Sequence, residues 1–193
     1  MSKIFYIADT HFGHKNIITF DQRPFSSVKE MDETLINNWN SVVDKNDTVY
    51  ILGDFCWLKE DRWIEILDKL NGGKQLIVGN HDLKNMSKNL RSKFQDVKER
   101  KKITDNGRNV IMDHFPVMAY EGSYNPSTYM LHGHVHNCTK ESEWIEKWVE
   151  ELRNNIEHPY DSNGNIINVG CMMPWINYTP RTLDEILEAK GWE

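Results

Sequence analysis

The chain is 193 residues long, carries a formal net charge of −6 and has three cysteines, Cys56, Cys138 and Cys171. That length suits one domain spanning residues 1–193, and an acidic balance with no basic block argues against binding long nucleic acid through its phosphates. An odd cysteine count without a C-x-x-C pair, no signal-peptide core at the N-terminus and no apolar run near the ~18 residues of a membrane span lead us to expect a cytoplasmic protein with reduced thiols and no membrane partner.

In chain order, Lys3 to Ala8 is a compact apolar run that predicts a buried strand ending at Asp9. Val28 to Val43 places Met31, Leu35, Ile36, Trp39 and Val42 at helical spacing. A strand over Thr48 to Leu52 ends at Gly53-Asp54. A helix over Asp61 to Leu70 is stopped by Asn71-Gly72-Gly73, and a strand over Gln75 to Val78 ends at Gly79-Asn80-His81-Asp82. A helix is expected over Lys84 to Phe94. Strands over Asn109 to Met112 and Thr128 to Leu131 run into His114 and into His132-Gly133-His134-Val135-His136. A charged amphipathic helix over Glu141 to Asn154 is inserted at about 140–160; its default reading is a solvated helix. A strand over Asn165 to Val169 and a helix over Leu183 to Ala189 complete the order, which predicts α/β layers around two packed sheets.

Five polar clusters therefore follow five strands. They hold Asp9, His11, Asp54, Asn80, His81, His114, His134 and His136. In open α/β folds the site lies beyond the carboxyl ends of the strands, so these clusters are expected to converge. Carboxylates with imidazoles suit Mn²⁺ first, with Fe, Zn²⁺ or Ni²⁺ as alternatives. Two such ions clamp the oxygens of a displacement at phosphorus. Asp54 is the natural bridge between them, since it stands alone after a glycine. Taken singly, Asp9 and His11 could be a strand-end turn and Asn80 a helix cap.

Asp9-x-His11, Gly53-Asp54, Gly79-Asn80-His81-Asp82, His114 and Gly133-His134-x-His136 together resemble the blocks of the calcineurin-like metallophosphoesterases, in that family's order. The compact size is similar to its small prokaryotic and phage members. The resemblance implies a four-layer α/β/β/α sandwich of two packed mixed sheets flanked by helices. It also implies that Asp9, His11, Asp54 and His136 hold one metal and that Asp54, Asn80, His114 and His134 hold the other. His81 would sit over the phosphate and protonate the leaving oxygen. Protein phosphatases of the family carry Asp and Arg three and four residues after the bridging Asp; here those positions are Trp57 and Leu58, which argues against that branch.

The implied enzyme hydrolyses a phosphodiester or phosphomonoester, with a small or nucleotide-like substrate. A nuclease of the same superfamily and a non-catalytic scaffold binding a partner protein are the alternatives. His14 and Arg23 are candidate substrate contacts, together with Asn80. Asp82 is expected to cap the helix that follows it, and His132 to be structural. Nothing in the sequence fixes the oligomeric state.

Overall fold

The computed structural model describes residues 2–83 and 85–192. Strands β1 (Ile4–Ile7), β2 (Thr48–Ile51), β3 (Gly73–Ile77) and β4 (Asp96–Lys98) form one sheet in that order, each pair parallel. Helices α1 (Ile17–Phe20) and α2 (Val28–Val42) connect β1 to β2, and α3 (Glu60–Leu67) connects β2 to β3. The short α4 (Lys88–Arg91) precedes β4. The second sheet runs β5 (Arg100–Asp105), β6 (Arg108–Asp113), β7 (Thr128–His132) and β8 (Ile166–Asn168), with β5 antiparallel and the rest parallel. Helix α5 (Lys140–Asn154) lies between β7 and β8, and α6 (Leu183–Lys190) comes last.

The layering follows from strand alternation. Val110 and Met112 of β6, Leu131 of β7 and Ile167 of β8 join the main core with Phe5, Ile7, Val49 and Ile51 of the first sheet. Their neighbours Ile111, Met130 and Ile166 point the other way, into a second core with Ile145 and Val149 of α5. On the far side of the first sheet, Met31, Leu35 and Trp39 of α2 and Trp63 of α3 complete the main core. Parallel strands covered on both faces read as unbroken apolar runs, as β1 and β2 do.

The expected mixed character belongs to the second sheet. The first is parallel throughout its four strands, with an antiparallel bridge from Tyr6 to Arg181 beside it. The helix expected over Lys84 to Phe94 shrinks to α4, and its first residue, Lys84, lies outside the described residues. Ser87 starts α4 by accepting a hydrogen bond from the Leu90 amide, and the chain must then straighten for β4. Strands β4 and β5 escape the apolar pattern because they are charged: Lys101 of β5 pairs with Asp96 of β4 at 2.9 Å. Edge strands often carry charge in this way. Among the described residues, no helix is long and apolar enough to cross a membrane.

Candidate metal centre

All five clusters meet where the two sheets end. Asp9, His11, Asp54 and His134 have φ of 54°, 48°, 52° and 68°. This left-handed region is sparsely used by residues with a side chain, and holding one there costs about 1–3 kcal/mol. The surroundings enforce it. The turns after β1 and β2 are joined by backbone bonds from Asp9 N to Gly53 O (3.0 Å), His11 N to Asp54 O (3.0 Å), Phe12 N to Phe55 O (2.9 Å) and Trp57 N to Phe12 O (2.9 Å). Gly53 (φ 87°) allows the crowding: a Cβ there would lie 2.3 Å from Nδ1 of His114 and 2.7 Å from the Gly79 Cα.

Oδ2 of Asp54 faces Nε2 of His11 at 3.7 Å and Nε2 of His114 at 3.6 Å. Nε2 of His136 lies 3.9 Å from Oδ1 of Asp9. Oδ1 of Asn80 is 2.9 Å from both Nε2 of His114 and Nδ1 of His134. Ligand atoms of Asp9, His11 and His136, and likewise of Asp9, Asp54 and His114, fall within 4.8 Å of one another. Donors about 2.1 Å from one ion stand roughly 3 Å apart when adjacent and about 4.2 Å apart when opposite in octahedral coordination, so both groups, which have Asp9 in common, are close to the spacing of a metal site.

Electrostatics agrees with a cationic occupant. Asp9 and Asp54 are 0 % and 2 % exposed. Burial raises Asp9 to about 6, although His114 and His136 pull it down. Burial, helped by the charge of Arg23, lowers His11 to about 2, and its buried Nε2 has no hydrogen-bond partner. A neutral imidazole with an unused nitrogen next to a buried carboxylate is a donor set for a metal rather than a proton. Other bonds hold the remaining histidines. Nδ1 of His114 donates to Leu52 O at 2.8 Å, which directs Nε2 to the centre. The His134 amide donates to both oxygens of Asp9, at 3.2 and 3.1 Å.

His81 is exposed at the rim, with its ring 6.0 Å from that of His11 and its amide donating to Oδ1 of Asp54 at 2.9 Å. His14 lines the same cavity, stacked on Trp57 at 4.2 Å.

Arg23 is a correction to the expected substrate contact. It is 4 % exposed, and its guanidinium is consumed by Asp21 (Nε, 3.0 Å), Thr10 O (3.0 Å) and Asp9 O (2.9 Å). It braces the first turn from behind. Asp82 likewise does not cap a helix: its carboxylate accepts from the amides of Asp54 (3.1 Å), Phe55 (2.9 Å) and Gly79 (2.7 Å), stapling two turns together. His132 is 1 % exposed, with Nδ1 2.8 Å from Gly133 O, the structural placement expected.

Two residues of the centre were missed in the sequence. Asp21 accepts from Nδ1 of His136 at 2.5 Å, which points Nε2 inward in the carboxylate–histidine pairing usual behind metal ligands. Trp57 forms one wall of the cavity. Nothing in the sequence marked Asp21, whereas Trp57 was conspicuous as an aromatic close after Asp54.

The pattern of the family described as calcineurin-like phosphoesterase matches residues 2–188. Uncharacterized protein MJ1445 of Methanocaldococcus jannaschii is 36 % identical over 192 residues, covering 97 % of this chain and 91 % of its own. The Gene 66 protein of Mycobacterium phage L5 is 40 % identical over 85 residues, or 42 % of this chain and 41 % of its own. The crystal structure of the protein of unknown function AQ665 from Aquifex aeolicus matches with a TM-score of 0.71 at 25 % identity, over 97 % of this chain and 99 % of that one.

Proposed function

The chain belongs to the calcineurin-like phosphoesterase family, and from that premise we propose that it hydrolyses small, nucleotide-like phosphodiesters, or the matching monoesters, with two divalent ions, Mn²⁺ foremost. The observation that carries this reading is the shared oxygen. Oδ2 of Asp54 stands between His11 at 3.7 Å and His114 at 3.6 Å, two imidazoles from different sheets. Asp9, His11, Asp54 and His136 would hold one ion, and Asp54, Asn80, His114 and His134 the other. When bound, the ions would supply Lewis acidity, drawing charge from the phosphoryl oxygens and making water nucleophilic near neutral pH.

The protein's own groups do the rest. Asp54 is held at Oδ1 by the His81 amide, so the bridge and the candidate acid move as one unit. The exposed imidazole of His81 stands over the cavity, where it donates a proton to the departing oxygen. His14 lines the substrate's side of the cavity as a planar wall. The buried strand-end turns fix the donors before substrate arrives, which spares reorganisation during reaction.

Hydrolysis of bis-p-nitrophenyl phosphate and p-nitrophenyl phosphate by protein reconstituted with Mn²⁺ tests the proposal. We expect turnover of at least one ester, lost in His81→Ala. Two bound ions per chain with no turnover of either ester would refute it.

A further inference from the structure

Beyond the metal-facing donors, the turns after β1 and β2 build a second surface in the same cavity. Trp57 is 47 % exposed and Phe20 63 % exposed. The indole lies parallel to His14 within 8° at 4.2 Å, and 4.8 Å from the His81 ring. Phe20 meets His14 edge-on at 6.3 Å. Neither Trp57 nor Phe20 belongs to the hydrophobic core, so the fold gains little from them, and each leaves apolar area in water.

The platform is rigid. The Trp57 amide donates to Phe12 O at 2.9 Å, and Phe12 bridges Cys56. Gly13 (φ 75°) lets the Leu58 side chain press where a Cβ would sit, 2.3 Å from its Cγ. The aromatic wall is continuous with His11, Asp54 and His81 in one cavity of about 740 Å³, large enough for a drug-sized ligand. Asn16, also on this wall, does not spend its amide on capping α1. A group carried on phosphorus at the centre would reach this wall within the same cavity, and a flat face with a polar edge suits it best.

We propose that Trp57, backed by His14 and flanked by Phe20, is a subsite for a nucleobase, so that the substrate is a nucleoside-type phosphodiester. This deepens the phosphoesterase reading and rests on it. Aromatic side chains bind bases through their π-faces with little dependence on which base is present.

The test is calorimetric binding of adenosine 5′-monophosphate and ribose 5-phosphate to Mn²⁺-loaded protein, two probes that share ribose and a 5′-phosphate, the second with an anomeric hydroxyl in place of the base. We expect the nucleotide to bind about tenfold or more tightly. Trp57→Ala should bring the ratio of affinities close to one, and Trp57→Phe should keep most of it. Equal affinities in the wild type, no binding of either probe, or an undiminished ratio in Trp57→Ala overturns the subsite. Turnover of bis-p-nitrophenyl phosphate or p-nitrophenyl phosphate, measured on the same preparation, separates the two ideas. Turnover without a base preference sinks only the subsite; a base preference without turnover supports the subsite and removes the hydrolase.

Discussion

The turns after β1, β2 and β3 face those after β6 and β7 across the centre, and the two groups are held differently. On the first side the backbone does the holding. Four main-chain bonds join the turns after β1 and β2, and Asp82 accepts three amides from the turns after β2 and β3. On the second side the histidines are held by bonds that reach back to the first: the His114 ring to Leu52 O, the His134 main-chain amide to Asp9, and the His136 ring to Asp21. The first side is thus a frame and the second is hung on it. Damage to the frame should cost stability and metal together, whereas damage to a hanger should cost metal alone.

The severest break is Asp54→Asn, at the point where both sides meet. The substitution keeps the shape and removes the buried charge that faces two imidazoles. Turnover should fall by more than the ~100-fold typical of residues behind a ligand, with metal content reduced. Elemental analysis alongside an ester assay checks this; near-normal values for both would remove Asp54 as the bridge.

Asp82→Ala tests the frame. It strips the acceptor from three buried amides, a loss on the order of 3 kcal/mol in folding stability. Urea unfolding of metal-free protein measures it. A change below about 1 kcal/mol would mean that the main-chain bonds hold the turns unaided, and the comparison would lose its first half.

His132 separates stability from metal on the second sheet. Burial lowers it to about 4 from an ordinary 6.5. Its neutral form therefore contributes stability that is complete above pH 6.5, declines as pH falls towards 4 and is gone below that. The full contribution is roughly 3 kcal/mol, since each tenfold change in proton affinity is worth about 1.4 kcal/mol. Melting curves at pH 7 and pH 4.5 should converge for His132→Gln relative to wild type. Parallel pH dependence in the two proteins would show that this histidine does not titrate with folding.

The sequence revealed the candidate donors far better than what holds them. Asp9, Asp54, Asn80 and His134 stand out because each ends an apolar run, and strand ends are where an α/β fold gathers a site. Asp82 was visible but misread, since a local helix cap is the commonest job for Asp after a turn, and its three amides come from turns that converge only in the fold. Arg23 reads as surface by composition. It is buried because Asp21 and two main-chain oxygens of the first turn together accept its donors. Strands β4 and β5 were missed for the converse reason: their charge pairs across the sheet edge leave no apolar period to read.

Asp21→Asn makes the smallest change at the metal and tests the hanger; because Asp21 also pairs with the buried Arg23 at 2.9 Å, its cost in stability is read separately by urea unfolding. The pair Asp21–His136 spans 115 residues of sequence, yet it sets which His136 nitrogen faces Asp9. Burial pulls the His136 pKa down, but the Asp21 bond and the charges of Asp9 and Asp21 outweigh it and leave the value raised. A proton therefore competes with an ion for Nε2 as pH falls. In Asp21→Asn the ring is less firmly aimed, so Mn²⁺ affinity at pH 8 should drop about tenfold. The proton is also held less tightly, so the loss of affinity on acidification should begin at lower pH than in wild type. Titrating Mn²⁺ into metal-free protein at several pH values reads both effects. A weaker affinity with an unmoved pH dependence would assign Asp21 to ring placement alone, and an unchanged affinity would show that His136 reaches its position without a hanger.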